Sequence, residues 1–599
     1  MKRSVPHRSD IPARYTWGST ALFASPRAWE AELSAVLAQA SAVGARAGTL
    51  SRGPSKLAEG LRRVEELSAR MMRVMVYAGF SYAVDTTNAR AAGMNDRAQA
   101  AFGRASAAVS FVDPELLRIG RTTLEAWMAA DDRLSGYRHY VDNLFRRQAH
   151  VRSAEVEELM GMLADPFSGP STISSMLVNA DLKFPPARGR AGSTLAVSQG
   201  TIGALLENAD RTVRQSAWNS YMKAHAEHRS TLAATLGASI KQNVLKSRAR
   251  RFDSTLETAL FGDALSVEVF HNALRVFRRR LPVWHRYFDI RRRALKLRKL
   301  AHFDMWAPLG KAPAAIGYEQ AVDMICEGLA PLGKEYVARV RFGCLRERWV
   351  DVLPNQGKRE GAFSWGSFGT LPYIMMSFTG DVTSVSTLAH ELGHSMHSLL
   401  TWKTQPYAYS SYSTFVAEVA SNLHQALVRA HLLRGKSGRA MRRAVIEEAM
   451  ANFFRYLFIM PTLARFELET HQRAERGEAL TAGLLQDLMT GLMEEGYGKA
   501  VAVDREREGM LWASFPHLFE DYYTFQYETG IAGAHAIAAR ILQGKDGAAE
   551  DYRRFLSLGS SEYPLDALKV AGVDLATPRP VEQAFDVLDG YVTELEELV

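Results

Sequence analysis

The chain has 599 residues, several times the ~150 of an ordinary domain, so more than one structural unit is expected. Hydrophobic residues at 47% and charged residues at 23% are ordinary for a folded globular chain and exclude a disordered or fibrous one. The net charge of +8 conceals an uneven distribution, which bears on what the protein binds.

In chain order, Met1–Tyr15 is charged and Pro-containing with no apolar core, so no secretory signal is expected. Helical periodicity begins at Trp29–Leu37. The most apolar stretch, Val74–Val84, falls well short of the ~20 residues of a membrane span, and no membrane association is expected. Val156–Leu163 is again helical in pattern. Leu182–Thr201, punctuated by Pro185, Pro186, Gly189, Gly192 and Gly200, predicts a hairpin. The Pro/Gly-rich region also suggests a boundary between an N-terminal helical domain, 1–195, and a larger domain, 196–599.

Helical spacing resumes over Leu205–Tyr221, Val267–Leu281 and Met441–Leu457. Between Lys241 and Leu300 there are 16 Lys+Arg against 5 Asp+Glu, a local balance of +11. Such a surface can attract acidic peptides or nucleic acid. Leucines interleave with the charges, however, and no nucleic-acid module signature accompanies them, so the solvated face of long helices is expected and no nucleic-acid partner. Strand-prone material recurs at Arg341–Phe378, in Trp349–Leu353 and Tyr373–Met376, around a Gly-rich stretch. Gly366–Gly369 with Tyr373–Met376 reads as an edge strand able to pair with an extended peptide. Two cysteines, Cys326 and Cys344, allow one bridge at most. Such low usage suits a reducing compartment, and the expected location is cytoplasmic.

The chemistry lies in His390-Glu391-Leu392-Gly393-His394. On a helix His390 and His394 lie within ~40° of each other and can share one ion. Val385, Leu388, Leu392, Met396 and Leu399 fall on the opposite side, so an apolar stripe faces the core while both imidazoles face a cavity. Glu391 sits on the flank, where its carboxylate reaches a water on the metal and not the metal itself. HExxH sites bind zinc through the histidines and use this glutamate as general base. Gly393 costs ~1 kcal/mol inside a helix, which suggests that something approaches closely there. Zinc needs a third protein ligand. The HExxHxxGxxH arrangement fails, since His397 and Leu400 occupy the glycine and third-histidine positions. Glu418, 24 residues beyond His394 in the apolar run Phe415–Ala420, is a candidate from a second helix, because a buried carboxylate needs a cation. His397 competes from the first.

These residues and others resemble the oligoendopeptidase F family of zinc metallopeptidases, relatives of thimet oligopeptidase. The resemblance runs almost end to end, from Arg14-Tyr15-Thr16-Trp17 through Leu182-Lys183-Phe184-Pro185 and Leu205–Arg211. It is densest at Gly357–Trp365, Pro372-Tyr373-Ile374, Thr387–His394 and Phe415–Ser421, and ends with Pro516-His517-Leu518 and Phe525–Gly530. It implies a mainly α protein, with two helical parts enclosing a deep substrate channel and a small β-sheet beside the HExxH helix. It implies one zinc ion on His390, His394 and Glu418, Glu391 as base, and short peptides as substrates. His517 with Tyr523 and Tyr527 match the residues that contact substrate and transition state; Tyr522 is the neighbouring alternative. Glu528 departs from the small residue expected there, and Gln425 stands where relatives often carry an acid.

The function expected is zinc-dependent cleavage of internal bonds in short oligopeptides. A zinc exopeptidase releasing C-terminal dipeptides is the rival within the class, but no cationic anchor for a terminal carboxylate is assignable. A non-catalytic peptide-binding protein is the rival outside it, and the intact HExxH and Glu418 argue against that.

Overall fold

A computed structural model describes residues 5–190, 192–435 and 438–599. The chain forms two compact units, each assembled from three separate stretches. The first comprises Met1–Ala149, Ala314–Gly435 and Ile537–Val573; the second comprises His150–Pro313, Lys436–Ala536 and Asp574–Val599. Helices dominate both, with two small sheets among the described residues. The mainly α expectation holds.

The first unit opens on three packed helices, α1 (Pro26–Gly44), α2 (Pro54–Val84) and α3 (Ala89–Val109). Ser25 caps α1 by accepting from the Ala28 N–H, with Pro26 in the first turn, and Asn88 caps α3 in the same way. Small residues on the buried face of α3 (Ala91, Ala98, Ala101 and Ala105) let it pack closely on its neighbours. The apolar stretch over 74–84 is therefore the buried end of α2. Its core holds Trp29, Val74 and Phe80 together with Trp17, Tyr373 and Met375.

Those last two residues belong to a three-stranded sheet of β3 (Val350–Asp351), β4 (Phe363–Trp365) and β5 (Tyr373–Met375), in the order β3-β5-β4. β5 runs parallel to β3 and antiparallel to β4. The expected edge strand at Tyr373–Met376 is thus central. The Ile374 N–H donates to Trp349 O at 2.8 Å, Tyr373 pairs with Trp365, and the whole of β5 is buried. Both sides of β5 are occupied because the β-prone run at 349–353 and the segment 363–365 flank it. The open edge belongs to β4. Asp351 anchors the far end, held by Lys358 at 2.8 Å, Arg8 at 2.5 Å and the Trp17 N–H at 3.2 Å.

In the second unit the expected hairpin forms as β1 (Ala187–Arg188) against β2 (Thr194–Leu195). The helical pattern over Leu205–Tyr221 is two helices, Ile202–Leu206 and Arg211–Glu227. Asp210 splits them, since its carboxylate accepts from the Thr212 N–H at 2.9 Å and starts a new helix. The basic helix Val267–Ala294 is charge-paired: Arg279, Arg280, Arg286 and Arg293 meet Glu582, Asp586, Asp589 and Glu596 of the C-terminal helix Arg579–Leu598. Cys326 and Cys344 are both buried and free, so the one possible bridge does not form. No helix among the described residues is long and apolar enough to cross a membrane.

Candidate active site

Two helices of the first unit build the metal-ligating cluster. The HExxH helix, Val382–Thr404, starts at Asp381, whose carboxylate accepts from the Ser384 N–H at 2.7 Å. Val385, Leu388, Leu392 and Met396 bury the stripe predicted for them, while Leu399, predicted with them, is only partly buried near the helix end. The second helix, Thr414–Arg434, carries Glu418. The two cross at Gly393, where an added Cβ would lie 2.5 Å from Ala420 O. What the glycine admits is the neighbouring backbone, and that approach brings Glu418 to the histidines.

Ligating atoms of His390, His394 and Glu418 lie within 4.8 Å of one another. The imidazoles are near-perpendicular, with ring centroids 4.9 Å apart, and His390 Nε2 lies 3.5 Å from Glu418 Oε2. Surrounding groups fix each ligand. His390 Nδ1 donates to Gln425 Oε1 at 3.1 Å, which leaves Nε2 to accept an ion, and Gln425 Nε2 donates to Ser386 Oγ at 2.8 Å. Gln425 thus does with a neutral acceptor what an acid would do there. A ring nitrogen of His394 bonds the Ala417 carbonyl. Glu418 Oε2 accepts from Ser421 Oγ at 2.9 Å. Glu418 is 16% exposed and not sealed in an apolar stripe as its neighbours suggest. It faces the same opening as His390, 15% exposed, which an ion and its substrate require.

Burial lowers the His394 pKa to about 4, against the pull of Glu418, and so favours the neutral imidazole that metal binding needs. Burial also holds the Glu391 carboxyl up to about 7, with His390 opposing and Glu418 adding to the effect. The backbone N–H of Ser364, on the open edge of β4, donates to Glu391, and Ser364 Oγ bonds Ser395 Oγ at 2.8 Å. His397, the competing ligand, is outside the cluster. Its ring is buried and stacked on Tyr412 with centroids 3.6 Å apart, so it packs the HExxH helix.

The second unit gathers the other candidates. His517 lies on the short 3-10 turn Pro516–Phe519, and its ring centroid is 5.9 Å from those of both Tyr523 and Tyr527. The Tyr523 and Tyr527 hydroxyls bond each other at 3.0 Å, one before the helix Phe525–Leu542 and one in its first turn. His517 Nδ1 is buried without a partner among the described residues, and burial with Arg455 nearby lowers its pKa to about 4. Tyr522 points away, buried, with its hydroxyl 3.1 Å from Thr255 Oγ1. Glu528, where a small residue was expected, is fully buried with neither carboxylate oxygen hydrogen-bonded among the described residues, and burial raises its pKa to about 8.

Residues 204–587 match the family model described as peptidase family M3, and residues 115–184 match that described as oligopeptidase F. The chain belongs to peptidase family M3. Oligopeptidase PepF of Bacillus subtilis is 34% identical over 99% of this chain and 89% of its own length. Group B oligopeptidase PepB of Streptococcus agalactiae is 32% identical over 99% and 98%. A crystal structure of oligoendopeptidase-F from Enterococcus faecium covers 95% of this chain and 97% of its own, with a TM-score of 0.74 at 30% identity. This M3 chain is accordingly a metalloendopeptidase, and membership implies a metal, for which the His390–His394–Glu418 cluster offers ligands. Sequence reasoning missed Ser364 and the use made of Gln425, because neither contact has a spacing signature.

Proposed function

We propose that this M3 peptidase is a zinc-dependent oligoendopeptidase, cytoplasmic, carrying one zinc per chain and hydrolysing internal bonds of short unfolded peptides. The observation that carries this reading is the His390–His394–Glu418 donor set within 4.8 Å, with Glu391 on the same helical turn. Two imidazoles and one carboxylate suit zinc, whose catalytic sites take three protein ligands and keep a position open. Bound there, zinc would supply Lewis acidity toward the scissile carbonyl and lower the pKa of water.

The chain's own residues do the rest. Glu391, held by the Ser364 N–H, takes the proton of the attacking water and returns it to the leaving amine. His517, Tyr523 and Tyr527 donate hydrogen bonds to the oxyanion that develops on the carbonyl, each such donor being worth ~2.7–4 kcal/mol. The open edge of β4 offers backbone pairing to an extended peptide, which makes sequence preference broad. Family resemblance implies a substrate channel that admits flexible peptides.

An internally quenched peptide, assayed with and without chelator and with zinc restored, tests this. Internal cleavage that chelator abolishes and zinc restores is the expected result. Chelator-resistant turnover overturns the metal reading, and products confined to C-terminal dipeptides overturn the endopeptidase one.

A further inference from the structure

Tyr522 is one of few non-glycine residues with positive φ, at +51°. An L-residue adopts this left-handed conformation only where its surroundings impose it. Here every neighbouring group is gripped. The Tyr522 N–H donates to Glu467 Oε1 at 2.6 Å, and Thr524 Oγ1 donates to Glu467 Oε2 at 3.3 Å. The Tyr522 ring packs edge-on to Phe270, tilted against His471, and its hydroxyl meets Thr255 Oγ1 at 3.1 Å. Thr255 is itself tied to Glu475, and Asp521 accepts from Asn243 Nδ2. Glu467 is almost wholly buried, on the helix Met460–Glu475. Its two oxygens therefore hold the backbone on one side of Tyr523 and the side chain on the other.

Tyr523 is the residue between. A left-handed residue turns the chain sharply, so the side chain that follows leaves in a direction set by that turn. Tyr522 enters the core, while Tyr523 reaches the Tyr527 hydroxyl and the His517 ring.

We propose that Glu467 is a positioning residue, which clamps the strained Tyr522 backbone and so aims the Tyr523 hydroxyl, with its partner Tyr527, at the reacting bond. The proposal rests on the reading that Tyr523 contacts substrate. Glu467 itself touches no substrate and transfers no proton.

A double-mutant cycle between Glu467 and Tyr523 tests it, using the full-length zinc-loaded enzyme and an internally quenched peptide. Tyr523→Phe is expected to lower kcat about 100–1,000-fold. Glu467→Ala should lower kcat comparably with KM changed less than about threefold, since aim and not ground-state binding is lost. Combined, the two substitutions should cost no more than the worse one alone. Glu467→Gln, which keeps a carbonyl acceptor for the Tyr522 N–H, should recover most of the lost kcat. Multiplying effects, or an E467Q as impaired as E467A, overturn the clamp. Should E467A not accumulate folded, Thr255→Val loosens Tyr522 from its ring side, and the same non-multiplying pattern with Tyr523→Phe is required of it. Wild-type turnover in Tyr523→Phe with a slow Glu467→Ala refutes the role of Tyr523, and the absence of internal cleavage by the zinc-loaded wild-type enzyme would refute the peptidase reading separately.

Discussion

Gly393 and Ser421 approach until a Cβ added at residue 393 would lie 2.6 Å from the Ser421 Cα. That contact is backbone on backbone, so no side chain can yield to make room. Gly393→Ala must push apart the helices that carry His394 and Glu418. Overpacking of this kind costs ~1–3 kcal/mol. The expected outcome is a lowered Tm together with substoichiometric zinc, measured by thermal unfolding and elemental analysis. A variant with full metal content would show that the helices can separate without disturbing the ligands.

Glu391→Gln should keep the metal and lose activity, by ~100-fold or more in kcat, because the base is gone while all three ligands stay. Burial penalises ionised Glu391, so the metal-free variant should unfold at an equal or higher temperature than the metal-free wild type. Loss of stoichiometric zinc from a folded E391Q protein would make Glu391 a ligand instead.

Glu418→Ala should weaken zinc binding more than any change at Glu391, as it leaves only the two histidines on the ion. Gln425→Leu takes the acceptor from His390 Nδ1. A drop of ~10–100-fold in zinc affinity is expected there, as for other groups that orient a metal-bound histidine. Competition with a chromogenic chelator ranks the variants. Unchanged affinity in E418A would move the third ligand elsewhere.

Glu528 gives a pH signature that is independent of catalysis. In the unfolded chain it ionises near its ordinary 4.5, whereas the folded protein keeps its proton up to about 8. Between those values the folded state binds the extra proton, so this group's contribution makes stability fall as pH rises from ~4.5 to ~8, and level off above. Glu528→Gln has no proton to lose. The Tm of the variant relative to wild type should therefore climb steadily across that window. A difference independent of pH would mean that Glu528 is already ionised in the folded protein.

Substrate size should govern cleavage more than sequence does. One scissile sequence placed in a short peptide, in a long unfolded chain and in a folded host should be cut fast, slowly and hardly at all. A folded host presents an extended strand only after local unfolding, which costs free energy that a flexible peptide does not. Equal rates for the short peptide and the folded host would point to an open cleft.

Much of this was legible in residue order, for reasons of period and spacing. Helical periodicity gave the fold class, and the four-residue separation of His390 and His394 put both on one face. Glu418 stood out as a carboxylate in an apolar run. What stayed hidden depends on pairing and on backbone direction. Tyr373–Met375 and Trp349–Leu353 are equally β-prone, so composition could not say which strand lies in the middle. Tyr522, Tyr523 and Tyr527 are chemically alike, and a single left-handed residue at 522 decides which of the adjacent pair turns inward. Asp210 interrupts an apolar period that continues unbroken on paper, since a cap acts through its side-chain oxygen and not through hydrophobicity. The interleaving of the two units has no trace in the hydrophobic pattern, because both are helical.

That interleaving bears on the order in which the active site is completed during synthesis. The HExxH helix finishes its packing on residues far downstream: Thr401 donates to Leu556 O at 3.0 Å, Gln405 to Ser557 O at 2.8 Å, and the His397 ring lies against Phe555. A ribosome must therefore translate most of the message before the zinc-binding helix has its full support. Each nascent chain lacks these contacts until Ser557 has been made, and a chain cut short before Phe555 carries the HExxH helix without them.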